Sequence, residues 1–123
     1  MKGWATTIKR GVLFISKMEK NPWVRFQLNR DTVITSITVV NRKDCCGGRL
    51  MNLEIRAGMA NNINNQVVGY FKGPGQTNKE YTIRLSKEVK ARYISILMKA
   101  TEHLQINGIK LNLEPILSAG NIK

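Results

Sequence analysis

The chemistry-bearing residues of this chain gather in one short segment, Asn41-Arg42-Lys43-Asp44-Cys45-Cys46-Gly47-Gly48-Arg49-Leu50. Arg42 and Arg49 each carry a rigid fork of N–H donors that can grip neighbouring hydroxyl oxygens or a carboxylate at two points. Asp44 is close enough in sequence to orient one of those forks. Two adjacent cysteines have two fates: reduced thiols on a solvated loop, or a small disulfide ring that presents a flat, soft, apolar face. Gly47 and Gly48 let the backbone bend tightly beside them. An apolar face, planar donors and a carboxylate suit a sugar, whose ring has C–H patches beside vicinal hydroxyls. In the plainer alternative the arginines are ordinary loop charges in water.

Elsewhere the sequence offers little chemistry. One His and two adjacent Cys cannot assemble a zinc site or a haem-attachment motif by themselves. Ser16, Ser36, Ser86, Ser95 and Ser118 lack a paired His and acid, and no glycine-rich phosphate cradle occurs, so an enzyme is not expected. His103 reads as an edge or loop histidine. A thiol or redox role for Cys45 and Cys46 lacks both a Cys-x-x-Cys spacing and an activating His. Trp23, beside Pro22 at the start of a strand, reads as a core anchor rather than a sugar platform. Lys87, Lys90 and Arg92 read as solvated surface.

The elements that position the segment have a two-residue period. Met51-Asn52-Leu53-Glu54-Ile55-Arg56-Ala57 alternates apolar and polar side chains. Thr32 to Val40 is rich in β-branched residues, with Val33, Ile37 and Val39 expected on one face and Ser36 and Thr38 on the other. Tyr81-Ile83-Leu85 and Ile94-Ile96-Met98 predict two further strands, the second more central. Asn61 to Asn65, Lys72-Gly73-Pro74-Gly75 and Ser86 to Lys90 read as loops. The last strand candidate shifts phase at Asn107-Gly108, from Leu104 and Ile106 to Ile109, Leu111 and Leu113. A bulge there is preferred to a two-residue hairpin. About seven short strands with no sustained helical period predict an all-β protein, a β-sandwich.

A length of 123 residues, 42% of them hydrophobic, fits one domain. Residues 1–20 read as a basic, partly ordered leader, 21–113 as the sandwich and 114–123 as a C-terminal tail. The apolar run Gly11 to Ile15 is too brief, and too close to Lys17 and Lys20, for a good signal peptide. No window approaches the roughly 18 apolar residues of a membrane span. Twenty Lys and Arg against eight Asp and Glu give a net charge of +12, which favours an anionic partner.

At Arg42, Asp44 and Arg49 the sequence resembles the F-type lectins, the fucolectin family of fucose-binding β-sandwiches. The family pattern of Arg, any residue, Asp, four residues, then Arg or Lys is met in full, with Cys45-Cys46 inside it. Asn21-Pro22-Trp23, Arg49-Leu50 leading to Glu54-Ile55, and Ala91-Arg92-Tyr93 extend the resemblance over roughly three quarters of the chain, as in a divergent or N-terminally shortened member. It implies a jelly-roll sandwich of the F-type lectin/discoidin-like kind. It also implies a vicinal disulfide packed against a sugar ring and two arginines bonded to its hydroxyls, so that Arg42, Asp44, Cys45, Cys46 and Arg49 form the carbohydrate site. Two positions depart from the pattern. The family's third contact, a His, falls at Ile15, with Lys17 the nearest polar stand-in. The Cys-Glu pair that helps hold the family's structural calcium falls at Asn107-Gly108, and Met1 to Lys20 contain no acidic loop, so no calcium or other cofactor is expected.

The sequence thus predicts a non-enzymatic carbohydrate-binding module with altered or weakened fucose specificity, whose partners are fucosylated or acidic and sulfated glycans, and the resemblance implies that it is secreted or extracellular. The alternative is a polyanion-binding or adhesion module on a lectin scaffold that has lost its sugar site. A specific nucleic-acid partner is disfavoured, because the basic residues are spread over every segment without an aromatic stacking stripe. An oligomer is compatible with both readings.

Overall fold

The computed structural model describes residues 2–5 as backbone and residues 14–62 and 64–111 in full. Leu113 and the tail 114–123 lie outside the described residues, as do Gly11, Val12 and Leu13 of the apolar run. Ten strands follow in order: β1 (Lys2–Ala5), β2 (Phe14–Ile15), β3 (Glu19–Lys20), β4 (Trp23–Val40), β5 (Leu53–Gly58), β6 (Val67–Phe71), β7 (Glu80–Met98), β8 (Thr101–Glu102), β9 (Gln105–Ile106) and β10 (Gly108–Leu111). Among the described residues, no helix is long and apolar enough to cross a membrane.

The framework is one long antiparallel pair, β4 with β7. Two bulges divide it. Residues 28–31 of β4 stand opposite Arg92 alone, and residues 85–88 of β7 stand opposite Thr35 alone. Extra residues on one strand bend it and increase its twist, so a short middle stretch, 32–34 with 89–91, joins a first arm, 23–27 with 93–97, to a second, 36–40 with 80–84. The first arm lies in the order β1-β4-β7-β5-β6, and the second is flanked by β10. A Cβ on Gly69 of β6 would come within 2.8 Å of Ile83, which is on the second arm, so the arms face each other across the core. Ile34, Ile37, Ile55, Ile94, Ile96, Met98, Ile106 and Ile109 fill that core. The expected all-β sandwich forms.

The bulges correct three readings of the sequence. Ser86 to Lys90 is not a loop between strands; β7 runs through it, and the polar residues there are the lifted part of the second bulge. The register shift after Ile34 also changes which face is buried: Val33 is 46% exposed while Ile34 is fully buried, and Ser36 joins Ile37 inside. Arg92 is only partly solvated: its side chain, 37% exposed, also fills the first bulge, donating from Nε to the Leu28 carbonyl and pairing with Asp31. Trp23 lies on the face opposite Val24 and Phe26, half-buried, with the Arg25 guanidinium 4.5 Å over its ring.

Two short ladders close the seam between the sequence ends. Phe14 and Ile15 of β2 pair with Ile106 and Gln105 of β9, and β3 pairs with β8. Part of the stretch read as a leader is thus strand. At Asn107-Gly108 the chain does not reverse as a hairpin would. It leaves β2, places the Asn107 N–H on the Val40 carbonyl at 2.7 Å, and continues as β10 along β4. Gly108 has φ +141°, a conformation that side chains resist.

Substitution at the second bulge tests this register. Ile34→Ala should destabilise by about 2–5 kcal/mol, and Val33→Ala by no more than about 0.5 kcal/mol, in chemical denaturation. The reverse ranking would place the wrong residue in the core.

Candidate functional site

The 41–50 loop leaves the end of β4 and is clamped from below. Asn41, buried, donates from Nδ2 to the carbonyls of Gly47 and Gln76 at 3.1 and 2.9 Å, and its Oδ1 accepts the Arg42 N–H. The Gly47 N–H donates to the Thr77 hydroxyl, and the Asn78 N–H to the Arg42 carbonyl. The fit is close: a Cβ on Gly47 would lie 2.1 Å from the Thr77 backbone nitrogen, whereas one on Gly48 would meet open space. The loop therefore has a fixed shape, with a single 3₁₀ turn at Gly47–Arg49.

Cys45 and Cys46 are joined to each other by a disulfide, half-exposed at the loop's tip. Arg42 donates from Nε to Asp44 Oδ1 at 2.7 Å and from Nη2 to Oδ2 at 3.4 Å, the expected orienting contact. Its hydrogen bond to Asp44 raises the guanidinium pKa above its ordinary value, and the same bond lowers the Asp44 carboxyl below the usual carboxylate range. Arg49 follows the disulfide at the end of the 3₁₀ turn. The five residues singled out from the sequence thus come together.

What brings the arginines together is a residue that the sequence did not reveal. Gln105 of β9 is 1% exposed, and its Oε1 accepts from Arg42 Nη1 at 2.8 Å and from Arg49 Nη1 at 3.3 Å. Its Nε2 donates to the Cys46 carbonyl at 3.0 Å. The signal for it was faint: a lone amide between Leu104 and Ile106, just before a phase slip. Ile15, at the position of the family's missing His, is the cross-strand partner of Gln105 and is 43% exposed. Facing residues on an antiparallel pair project to the same side, so the departure noted in the sequence falls beside the site. His103 sits outside this cluster of bonds; its Nδ1 lies 2.9 Å from the Ser16 carbonyl and must carry the proton there.

The family model for the NedA-like, galactose-binding domain matches residues 10–96. Fucolectin-6 of Anguilla japonica is 36% identical over 95 residues, 75% of this chain and 49% of that protein. The chain belongs to this family, as an F-type lectin member. Fucolectin of Anguilla anguilla is 30% identical over 102 residues, 80% of this chain and 64% of that protein. The fold is also that of a fucolectin from striped bass (Morone saxatilis) serum, at a TM-score of 0.72 and 29% identity over 80% of this chain and 35% of that one. The chain spans about half the length of the Anguilla japonica fucolectins it matches. These relatives are fucolectins, and this chain has a lectin-like fold.

The implied calcium site does not fit these residues. Gly108 has no side chain to offer a cation, and among the described residues no three His, Cys, Asp or Glu side chains gather at one point.

Two measurements test the loop. Gly47→Ala should cost about 1–3 kcal/mol, while Gly48→Ala should stay within about 0.5 kcal/mol of the parent. Because the Asp44 pKa is depressed in the folded protein, its contact with Arg42 is present above the ordinary Asp value of about 3.9 and is lost only as pH falls through the lower folded value. The Asp44 carboxyl carbon resonance should therefore titrate below an ordinary aspartate; a midpoint at or above about 3.9 would contradict the bond.

Proposed function

We propose that the domain is a non-enzymatic carbohydrate-binding module of the extracellular space. A sugar ring packs on the Cys45-Cys46 disulfide and presents its oxygens to Arg42 and Arg49. The observation that carries this is the convergence of both guanidinium groups on one buried amide beside that disulfide. Only a pocket meant for an oxygen-rich ligand gains from holding two like charges side by side. A lasting disulfide belongs in an oxidising compartment, as does the serum setting of the striped bass lectin.

Fucose specificity is weakened. Ile15 places an apolar side chain where the family pattern has a His, and a sugar hydroxyl left there without a partner costs about 1–3 kcal/mol. Acidic or sulfated sugars compete well against fucose, because a carboxylate or sulfate group meets the arginines with acceptors alone. Calcium is not part of the site, so added calcium should leave the melting temperature unchanged; a rise reversed by chelator would reveal a site built from other oxygens.

A glycan array at low and physiological salt tests the reading, with Arg49→Ala abolishing binding of whichever glycan is held. Ile15→His should raise fucose affinity by about fivefold to a hundredfold. If no glycan binds, or if Arg42→Ala and Arg49→Ala leave binding unchanged, the alternative takes over. The +12 charge then makes this a polyanion-binding or adhesion module, recognised by steep loss of affinity with salt.

A further inference from the structure

We infer that Gln105 is the specificity-determining positioning residue of the site: its neutral carbonyl spaces Arg42 and Arg49 without cancelling their charge, and so selects a carboxylated or sulfated glycan. The inference rests on the carbohydrate reading above and adds to it the residue that sets the charge of the ligand.

The hydrogen-bonding capacity of the amide fixes its role. A Gln carbonyl has two lone pairs and its NH₂ has two donors. Both lone pairs of Gln105 are taken, one by each arginine, and the NH₂ donates to the Cys46 carbonyl. Flipping the amide would set donors against donors on one side and an oxygen against a carbonyl on the other, so the side chain has one orientation. It is also inaccessible to ligand, at 1% exposure, and acts only through the arginines.

Charge and donor supply follow from that choice. Arg42 is matched by Asp44, but Arg49 has no carboxylate partner among the described residues. With a neutral Gln105, the group Arg42, Asp44 and Arg49 keeps one net positive charge. Arg42 commits three of its five N–H donors to Asp44 and Gln105, and Arg49 commits one, which leaves N–H groups on both arginines for a ligand. Gln105 Oε1 is engaged twice, and each Asp44 oxygen already accepts one bond from Arg42, with the remaining lone pairs facing solvent. Ile15, opposite Gln105, offers no acceptor. A neutral hydroxyl in this pocket can give its proton only to Asp44, which Arg42 already holds, and gains nothing from the unmatched charge of Arg49. An oxyanion has only acceptors to satisfy, and it meets the unmatched charge of Arg49.

Substitutions at position 105 separate this role from a merely structural one. The probes are three immobilised glycans on a common galactoside backbone: neutral and fucosylated, sialylated, and sulfated. The parent should prefer at least one of the acidic pair, and which one shows whether carboxylate or sulfate is the better fit. Gln105→Glu neutralises the site, so the ratio of acidic to neutral affinity should fall about tenfold and the salt dependence should flatten. Gln105→Met keeps the length and the neutrality but removes the shared acceptor. It should weaken the acidic and neutral glycans alike by about tenfold and leave their ratio unchanged. Should Gln105→Glu fail to fold, because its second oxygen faces the Cys46 carbonyl, Gln105→Met decides. Unchanged affinity and unchanged ratio in the folded variants would overturn the inference. If those variants are unchanged while Arg49→Ala abolishes binding, the carbohydrate reading stands and the role of Gln105 alone falls. A parent protein that binds no glycan overturns both.

Discussion

Two guanidinium groups that share one amide oxygen repel each other, and the rest of the site is organised around that repulsion. Flexible arginines would separate into water, where their charges are screened and their rotamers free. Here they cannot separate without abandoning Gln105, whose buried carbonyl would then be left unsatisfied at a cost comparable to a lost hydrogen bond. Asp44 offsets part of the positive charge from the solvent side, and the Cys46 carbonyl accepts from the amide's NH₂ and fixes its orientation. The arrangement is ready before any ligand arrives, so a ligand need not supply the ordering of the arginines.

The fold explains how residues so distant in sequence meet. The second arm of the β4–β7 pair carries the chain to Val40, and β10 runs beside it in register, with Gly108 opposite Val40. Three residues upstream of Gly108, Gln105 therefore lies beneath the loop that Val40 leads into. On its other side β9 pairs with β2, which sets Ile15 beside it. The loop is meanwhile held from the 75–79 segment by Asn41, Thr77 and Asn78. The site is thus made where three separate stretches of chain meet, and none of them makes it alone.

Much of this was legible in the sequence where the signal is local. The 41–50 segment announces itself by residue types and spacing, and strand β5 follows simple alternation, with Leu53, Ile55 and Ala57 inward. The failures share one cause. A bulge is set by how two strands pair, not by either strand's own pattern, so the lifted Ser86 to Glu88 looked like a loop and Val33 looked like core. Gln105 failed for a related reason: a polar residue between Leu104 and Ile106 reads as the outward position of an ordinary strand. The partners that bury it are some sixty residues away along the chain.

Ile15 shows what that arrangement permits. It borders the binding groups yet belongs to a two-residue strand, projects away from the core on the same side as Gln105, and is largely open to solvent. A change there alters what the pocket touches while leaving the long β4–β7 pair and its core untouched. At this position a change of side chain is therefore uncoupled from the core. A lineage carrying this scaffold can explore new ligands one position at a time without first finding compensating mutations in the core.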